Sequence, residues 1–180
     1  MGNPNHRIKL VFTGCVGAGK TTAIAAISEE IPISTEVKPS EQSVIKRKPS
    51  TTVAMDYGVL TLENGEKLYL YGTPGQRRFD FMTDLLTKGA LGLIILIDNT
   101  HTDPLAELDY YLNLNHRFLQ NNPAVIGITH YDENTQPNIG DYYAALAERG
   151  DPWPVIQTDA RCPTDIHLLL NALIALLEYG

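Results

Sequence analysis

The stretch with the clearest chemistry is residues 14–21, with the sequence GCVGAGKT. It has the G-x-x-x-x-G-K-[ST] spacing of a phosphate-binding P-loop. Small residues let backbone N–H groups curl around phosphate oxygens, and the N-terminus of the next helix adds partial positive charge. The lysine would reach the β- and γ-phosphates, and the threonine hydroxyl would hold Mg²⁺. The residues expected to contact the phosphates are Val16, Gly17, Ala18, Gly19, Lys20, Thr21 and Thr22.

Three later segments carry residue types that could complete such a site. They are GTPGQ at 72–76, THYD at 129–132 and TDAR at 158–161. Asp132 would distinguish guanine from adenine if its carboxylate lay beside the base. A carboxylate accepts two hydrogen bonds from guanine, from N1–H and from the exocyclic amine at C2, whereas adenine has an unprotonated N1 and no amine at C2. A buried acceptor left unpaired costs about 1–3 kcal/mol, so Asp132 favours guanine.

Strands and helices alternate along the chain, which is the arrangement that would position these loops. Apolar runs predict strands at 8–12, 53–62, 67–71, 91–97, 125–128 and 155–156. Helical patterns predict helices at 21–30, 77–87, from 104 onward, 140–148 and 163–178. The pattern predicts an α/β fold in one domain, residues 1–180 with its core at 8–178. We expect a mostly parallel sheet of six strands, with one antiparallel edge strand and helices on both faces. Ligand-binding loops should follow the carboxyl ends of the strands.

Two segments leave more than one interpretation open. Residues 34–52 contain two prolines, a basic cluster at 46–48 and little apolar content, which indicates a mobile surface loop with a functional role. The last helix repeats leucine and isoleucine at helical spacing and also carries Leu168 and Leu176 on its other face. Core packing explains this pattern, and a partner surface is the alternative.

Composition limits the class of protein. The chain has 180 residues, 43% of them apolar, and a formal net charge of −7, which argues against a general nucleic-acid binder. Its two cysteines form neither a disulfide framework nor a metal cluster. No secretory signal, integral membrane segment or lipid-anchor motif is visible. These features predict a cytoplasmic protein.

Together, these segments resemble the small Ras-like GTPases over nearly the whole chain. The stretches TTVAMDYG at 51–58 and GTPGQRRF at 72–79 look closest to the bacterial branch related to the gliding-motility GTPase MglA. The resemblance implies a guanine-nucleotide switch that binds GTP or GDP with Mg²⁺ and hydrolyses GTP slowly. Its switch segments would be residues 34–52 and 72–79. A small roadblock-type regulator is the partner that the resemblance implies.

The resemblance also implies roles for residues near the phosphates. Thr52 would be the switch I threonine that binds Mg²⁺ together with Thr21 and senses the γ-phosphate. The Gly75 amide would contact the γ-phosphate, and Gln76 would orient the attacking water as the catalytic residue.

Near the base, the resemblance implies a second set of contacts. Thr129 and His130 stand where the family has asparagine and lysine. Thr129 can still hydrogen-bond nearby loops, and His130 can pack its ring against the base. The Ala160 amide would donate to guanine O6, and Arg161 would cover the base.

One departure from the family pattern concerns the metal. Gly72 stands where the family has an aspartate that anchors Mg²⁺ through water. We therefore expect either weaker Mg²⁺ binding or help from another acid, with Asp56 and Asp98 as the candidates.

A second departure concerns hydrolysis. Val16 replaces a glycine that many relatives keep so that a partner's arginine can approach. We expect slow intrinsic hydrolysis, with Arg47, Arg77 or Arg78 as possible arginines in cis. Two other functions stay open, namely an ATP-using P-loop enzyme and a nucleotide-bound scaffold without turnover.

Overall fold

The structure is a computed structural model that describes residues 8–30, 35–37, 53–132 and 136–179. Within these ranges the chain forms seven strands and six α-helices. The strands are β1 (Ile8–Thr13), β2 (Thr35–Val37), β3 (Val53–Thr61), β4 (Lys67–Gly72), β5 (Gly92–Asp98), β6 (Ala124–Thr129) and β7 (Val155–Gln157). The helices are α1 (Lys20–Ile27), α2 (Phe81–Thr87), α3 (Pro104–Leu114), α4 (His116–Leu119), α5 (Ile139–Arg149) and α6 (Pro163–Tyr179).

The strands form one sheet in the order β2-β3-β4-β1-β5-β6-β7. Among the described strands, β3 alone runs against the others, because it pairs antiparallel with both β2 and β4. The predicted α/β fold with a mostly parallel sheet is confirmed. The six predicted strands are all present, and β2 is an additional strand within the segment predicted to be a loop. The antiparallel strand was expected at the edge of the sheet, but β2 takes that position and β3 lies inside it, since an edge strand offers unpaired backbone groups to a neighbouring segment.

The core lies on both sides of the central parallel strands. All six residues of β6 are buried, as are the first six of β5, which is why both read as continuous apolar runs. Helices α1 and α6 contact each other, with α1 against β3 and β4 and α6 against β5 and β6. Helix α3 packs on β5, and α2 packs on β1.

Two predicted helices are shorter than the sequence indicated. Helix α1 ends at Ile27 rather than near residue 30, because Ser28 is extended and its hydroxyl accepts from the Val59 amide of β3 at 3.1 Å. The helix predicted at 77–87 is instead a single 3₁₀ turn, Arg77–Phe79, followed by α2. Helix α4 was not predicted.

Helix α6 divides its apolar residues between core and surface. Ile166, Leu169, Leu170 and Leu173 are buried. Other apolar residues of the helix are exposed: Leu168, Ile174 and Leu177. Leu176 is half-buried and packs against the core. Core packing therefore explains most of the leucine pattern, and Leu168, Ile174 and Leu177 face outward. None of the described helices is long and apolar enough to cross a membrane.

The carboxyl ends of the parallel strands bring the predicted loops together. The P-loop follows β1, residues 72–79 follow β4, residues 129–132 follow β6, and residues 158–161 follow β7. Because these four strands run in the same direction, all four loops emerge at the same edge of the sheet.

Candidate nucleotide-binding site

The backbone of the P-loop depends on its glycines. Gly14, Gly17 and Gly19 have positive φ values of 143°, 87° and 96°, which other residues rarely adopt. A Cβ at Gly14 would overlap the carbonyl oxygen of Leu96. Gly19 is the N-cap residue of α1 and has no side chain to cap it, so the first N–H groups of the helix stay available for an anion.

Lys20 is buried at the start of α1, and its ammonium bridges the P-loop. Its Nζ donates to the carbonyl oxygen of Gly14 at 2.7 Å and to that of Cys15 at 2.6 Å. Burial lowers the pKa of Lys20 from 10.5 to about 8, against the opposing influence of Cys15 and Asp56. The ammonium is therefore mostly charged at pH 7 and lies within the loop that would hold phosphate.

Thr21 contacts an acidic residue on a distant strand. Its Oγ1 donates to Oδ2 of Asp56 at 2.6 Å. Asp56 lies on β3 directly opposite Gly72 of β4 in the strand register. The structure thus brings one of the two candidate acids to the predicted metal-binding hydroxyl. Thr52, the other predicted metal ligand, lies outside the described residues.

Residues 72–79, the predicted switch II, lie directly on the P-loop. A Cβ at Gly75 would be 2.5 Å from the backbone nitrogen of Val16 and 2.7 Å from the carbonyl carbon of Cys15. Only glycine fits this close approach. Gln76 follows at the start of the 3₁₀ turn and is exposed. The Val16 side chain is 65% exposed at the mouth of the P-loop.

The two arginines of residues 72–79 contact side chains of α3 and of their own segment. The Arg77 guanidinium donates to Oε1 of Glu107 on α3 at 2.8 Å and lies 4.0 Å from the ring centroid of Tyr110. Tyr110 in turn donates its hydroxyl to Asp80. The Arg78 guanidinium lies 4.7 Å from the neighbouring phenylalanine ring. These contacts join switch II to α3, with Glu107 almost fully buried at the joint.

A cleft of about 570 Å³ runs from the P-loop to the ends of β6 and β7. This volume is in the range of small-molecule sites. The lining residues are Gly17, Gly19, Thr22, Thr129, His130, Tyr131, Gln157, Thr158, Asp159, Ala160, Arg161 and Asp165.

The P-loop and the walls of this cleft are in direct contact. The hydroxyl of buried Thr129 lies 3.0 Å from the carbonyl oxygen of Ala18 and 3.2 Å from that of Ile97. A Cβ at Gly19 would be 2.7 Å from the Cβ of Ala160. The phosphate loop and the cleft are therefore two parts of one continuous site.

His130 forms one wall of the cleft and is held by an acid. Its φ of 51° is unusual for a residue other than glycine, and its Nδ1 lies 3.1 Å from Oδ1 of Asp98. The same Asp98 oxygen accepts from the backbone N–H and the hydroxyl of Thr100, at 2.9 Å and 2.6 Å. Asp98 thus organises the loop near His130.

The opposite wall contains an ion pair. Arg161 donates from Nε and a terminal nitrogen to the two carboxylate oxygens of Asp159, at 2.9 Å and 2.8 Å. These bonds lower the pKa of Asp159 to about 2. Asp165 accepts from the Asp159 amide at 2.8 Å. Asp132 is exposed and follows Tyr131, but it is not among the described residues that line the cleft.

Seven of the predicted site residues line this cleft: Gly17, Gly19, Thr22, Thr129, His130, Ala160 and Arg161. The sequence did not single out five of the lining residues: Tyr131, Gln157, Thr158, Asp159 and Asp165. Three of them belong to motifs that it did identify, and Gln157 ends β7 immediately before one. Asp165, in the first turn of α6, gave no signal of its own.

The fold and this site define a P-loop nucleotide-binding protein. The chain belongs to the family described as conserved hypothetical ATP binding protein, whose model matches residues 33–150. The matched segment begins after the P-loop and ends before residues 158–161, so both of those motifs rest on the residues themselves.

Two curated proteins extend this comparison. An uncharacterized protein from Methanocaldococcus jannaschii is 34% identical over 91 residues, which cover 51% of this chain and 51% of that protein. The aligned segment thus spans about half the length of that relative. Ras-related protein RABD2a from Arabidopsis thaliana is 23% identical over an alignment covering 97% of this chain and 81% of that protein.

Proposed function

We propose that the protein is a guanine-nucleotide switch that binds GTP and GDP with Mg²⁺ and hydrolyses GTP slowly. The observation that carries this proposal is the continuity of the P-loop and the cleft. Thr129 meets the Ala18 carbonyl, and Gly19 leaves no space for a Cβ beside Ala160. A phosphate chain bound to the P-loop would extend its purine into this cleft. Residues 34–52 and 72–79 would be the segments that respond to the γ-phosphate.

The donor groups beside the P-loop fit a hard divalent cation. The Thr21 hydroxyl and the Asp56 carboxylate meet at 2.6 Å, and both are oxygen donors of the kind that Mg²⁺ prefers. Phosphate oxygens would supply further ligands, and Thr52 is proposed as the second hydroxyl ligand. Bound Mg²⁺ would neutralise charge on the β- and γ-phosphates. The Lys20 ammonium, mostly charged at pH 7, adds positive charge at the same place.

Guanine is proposed as the base because groups in and beside the cleft match its hydrogen-bond donors and acceptors. Asp132 would accept from guanine N1–H and the exocyclic amine, and the Ala160 amide would donate to O6. His130 and Arg161, on the cleft walls, would pack against the faces of the ring. The similarity to a Ras-related protein along 97% of the chain supports this choice.

Slow hydrolysis is proposed from the surroundings of the γ-phosphate position. Val16 projects into solvent at the mouth of the P-loop, where it would crowd an arginine from a partner. Gln76 would orient the attacking water. Arg77 is paired with Glu107 on α3 and would have to leave that pair to act. A transition-state arginine is worth about 10³–10⁵ in rate, so its absence would leave turnover slow.

A second candidate is an adenine-nucleotide enzyme. Two observations favour it: the family description names ATP, and Asp132 is not among the described lining residues. In that case the cleft would recognise the purine by stacking and shape, without guanine-specific hydrogen bonds.

The resemblance to the MglA-related branch extends the proposal to a partner. A roadblock-type regulator would recognise the surface that follows switch II, where Phe81 and Leu85 on α2 are 68% and 62% exposed. Because they lie one turn apart on the same helix, they present adjacent apolar groups. Such a partner would bind one nucleotide state in preference to the other.

The deciding experiment measures binding of fluorescent GTP, GDP and ATP analogues with Mg²⁺, followed by phosphate release over hours. We expect GTP and GDP to bind at least about tenfold more tightly than ATP, the equivalent of about 1.4 kcal/mol. Asp132→Asn should reduce this preference and preserve the phosphate contacts. Asp84→Asn, an exposed change on α2, is the matched control.

Each alternative has its own outcome. Equal affinity for ATP and GTP, unchanged by Asp132→Asn, would favour the adenine-nucleotide enzyme. Tight GTP binding with no GDP formed would identify a nucleotide-bound scaffold. Failure to bind any of the three nucleotides would contradict the proposed function.

A further inference from the structure

Position 72 on β4 is a glycine, so it has no side chain that could anchor a metal there. We propose that Asp56 on β3 supplies the metal-facing carboxylate across the strand pair, accepting hydrogen bonds from Thr21 and from metal-bound water. This inference rests on the proposed function. It places the metal-facing carboxylate on β3 instead of at position 72 on β4.

The first support is the space that Asp56 occupies. Asp56 and Gly72 are direct partners in the antiparallel register of β3 and β4. A Cβ built at Gly72 would lie 3.0 Å from the Asp56 Cβ and 3.1 Å from its Oδ2. Both distances are shorter than ordinary van der Waals contacts. The Asp56 side chain therefore lies over Gly72, in the volume that a side chain at position 72 would need.

The second support is the contact with the P-loop. Thr21 Oγ1 donates to Asp56 Oδ2 at 2.6 Å, although the two residues are 35 positions apart. A hydroxyl has one proton and two lone pairs. If Thr21 donates its proton to Asp56 in a hydrogen bond, a lone pair of the hydroxyl oxygen stays available for a cation. The second carboxylate oxygen of Asp56 would then accept from a water on that cation, which orients both ligands.

The surroundings of the other candidate acid argue against it. Asp98 already accepts from the amide and hydroxyl of Thr100 and contacts His130 through the same oxygen. These partners hold it at the base side of the site. Asp56 instead accepts from the hydroxyl of Thr21, which is the predicted metal-binding hydroxyl at the start of α1. The geometry thus separates two acids that the sequence could not distinguish.

The test is the magnesium dependence of nucleotide release. Fluorescent GDP is loaded on the full chain, and its dissociation rate is measured across a range of free Mg²⁺ and in EDTA. We expect Asp56→Asn to raise the half-saturating Mg²⁺ concentration about tenfold or more, as loss of such a metal-orienting group typically does. The dissociation rate in EDTA should change less than threefold.

A swap of the two residues provides the matched control. In the double variant Asp56→Gly with Gly72→Asp, the carboxylate moves to β4 and the Asp56 atoms no longer overlap it. The end of the Ile24 side chain, 3.2 Å from a Cβ at position 72, needs to shift by a few tenths of an ångström. Gly72 lacks the positive φ that only glycine tolerates, so an aspartate fits its backbone. We expect this variant to recover most of the wild-type magnesium dependence, whereas Asp56→Gly alone should not. Thermal unfolding of each variant confirms that it is folded.

The outcomes separate this inference from the proposed function. If Asp56→Asn keeps the wild-type magnesium dependence, or if Asp98→Asn alone raises the requirement, the assignment of Asp56 is wrong. If the swap fails to improve on Asp56→Gly in a folded protein, the cross-strand replacement is wrong. If wild type binds no guanine nucleotide even at saturating Mg²⁺, the proposed function itself fails.

Discussion

Nucleotide binding should take up a proton at alkaline pH because of Lys20. Burial lowers the pKa of its ammonium to about 8 in the protein without ligand. A polyphosphate beside this group stabilises the charged form and raises the pKa again. Above pH 8, Lys20 is mostly neutral in the free protein and charged in the complex, so nucleotide binding takes up a proton. Affinity should therefore fall as pH rises above about 8.

The number of protons taken up at a given pH follows from the pKa of Lys20 in the free protein. At pH 8.5 a group with a pKa of about 8 is roughly three-quarters neutral, so binding should take up about 0.75 proton per nucleotide. At pH 7 the uptake from Lys20 should be about 0.1 proton. Between pH 8.5 and 10 the dissociation constant should rise towards tenfold per pH unit, or about 1.4 kcal/mol.

The assay is isothermal titration with GDP and Mg²⁺ in two buffers of different ionisation enthalpy. The slope of the observed enthalpy against the buffer enthalpy gives the number of protons taken up. Lys20→Arg is the control, because a guanidinium stays charged at these pH values, and the nucleotide's own titration is common to both proteins. Uptake below about 0.2 proton at pH 8.5, or equal uptake in Lys20→Arg, would refute the reasoning.

Three further changes test separate contacts. Thr129→Val removes the hydroxyl beside the Ala18 carbonyl and should lower the free energy of unfolding by about 1–2 kcal/mol in urea titrations; a stability equal to wild type would contradict this. Gly75→Ala places a methyl group 2.5 Å from the backbone nitrogen of Val16, so it should weaken GTP binding about tenfold or more relative to GDP, consistent with loss of a hydrogen bond to a charged group. An unchanged GTP-to-GDP ratio would show that switch II does not need this contact. Glu107→Gln should speed amide hydrogen exchange in residues 76–80, because the ion pair to α3 is lost, and equal exchange would show that the pair does not restrain switch II.

Much of the fold follows from patterns that are local in the sequence. The run at 91–97 is apolar at nearly every position, and the structure buries it within a central strand. Pro104 begins α3 after its N-cap Asp103, whose side chain accepts from the Ala106 amide. These features are predictable because a proline, a capping residue or an apolar period acts on neighbouring residues. Strand β2 was not predictable in this way, since three residues carry no period and their pairing depends on β3.

The site shows the same division between local and distant effects. The sequence placed Thr129 beside other loops, but the distance from its hydroxyl to the Ala18 carbonyl joins residues 111 positions apart. It left Asp56 and Asp98 as equal candidates because both lie on strands near the site. It also left Arg77 available for catalysis, whereas packing of α3 pairs it with Glu107.

By itself, the sequence determined the P-loop, its lysine and threonine, and the order of loops at the carboxyl edge of the sheet. These depend on spacing along the chain, which fixes local backbone geometry. The pairing of Asp56 with Gly72 belongs to a hairpin, whose register is set by its turn. The tertiary structure alone decided that Asp56 reaches Thr21, because this contact depends on how α1 packs against β3, which no local pattern encodes.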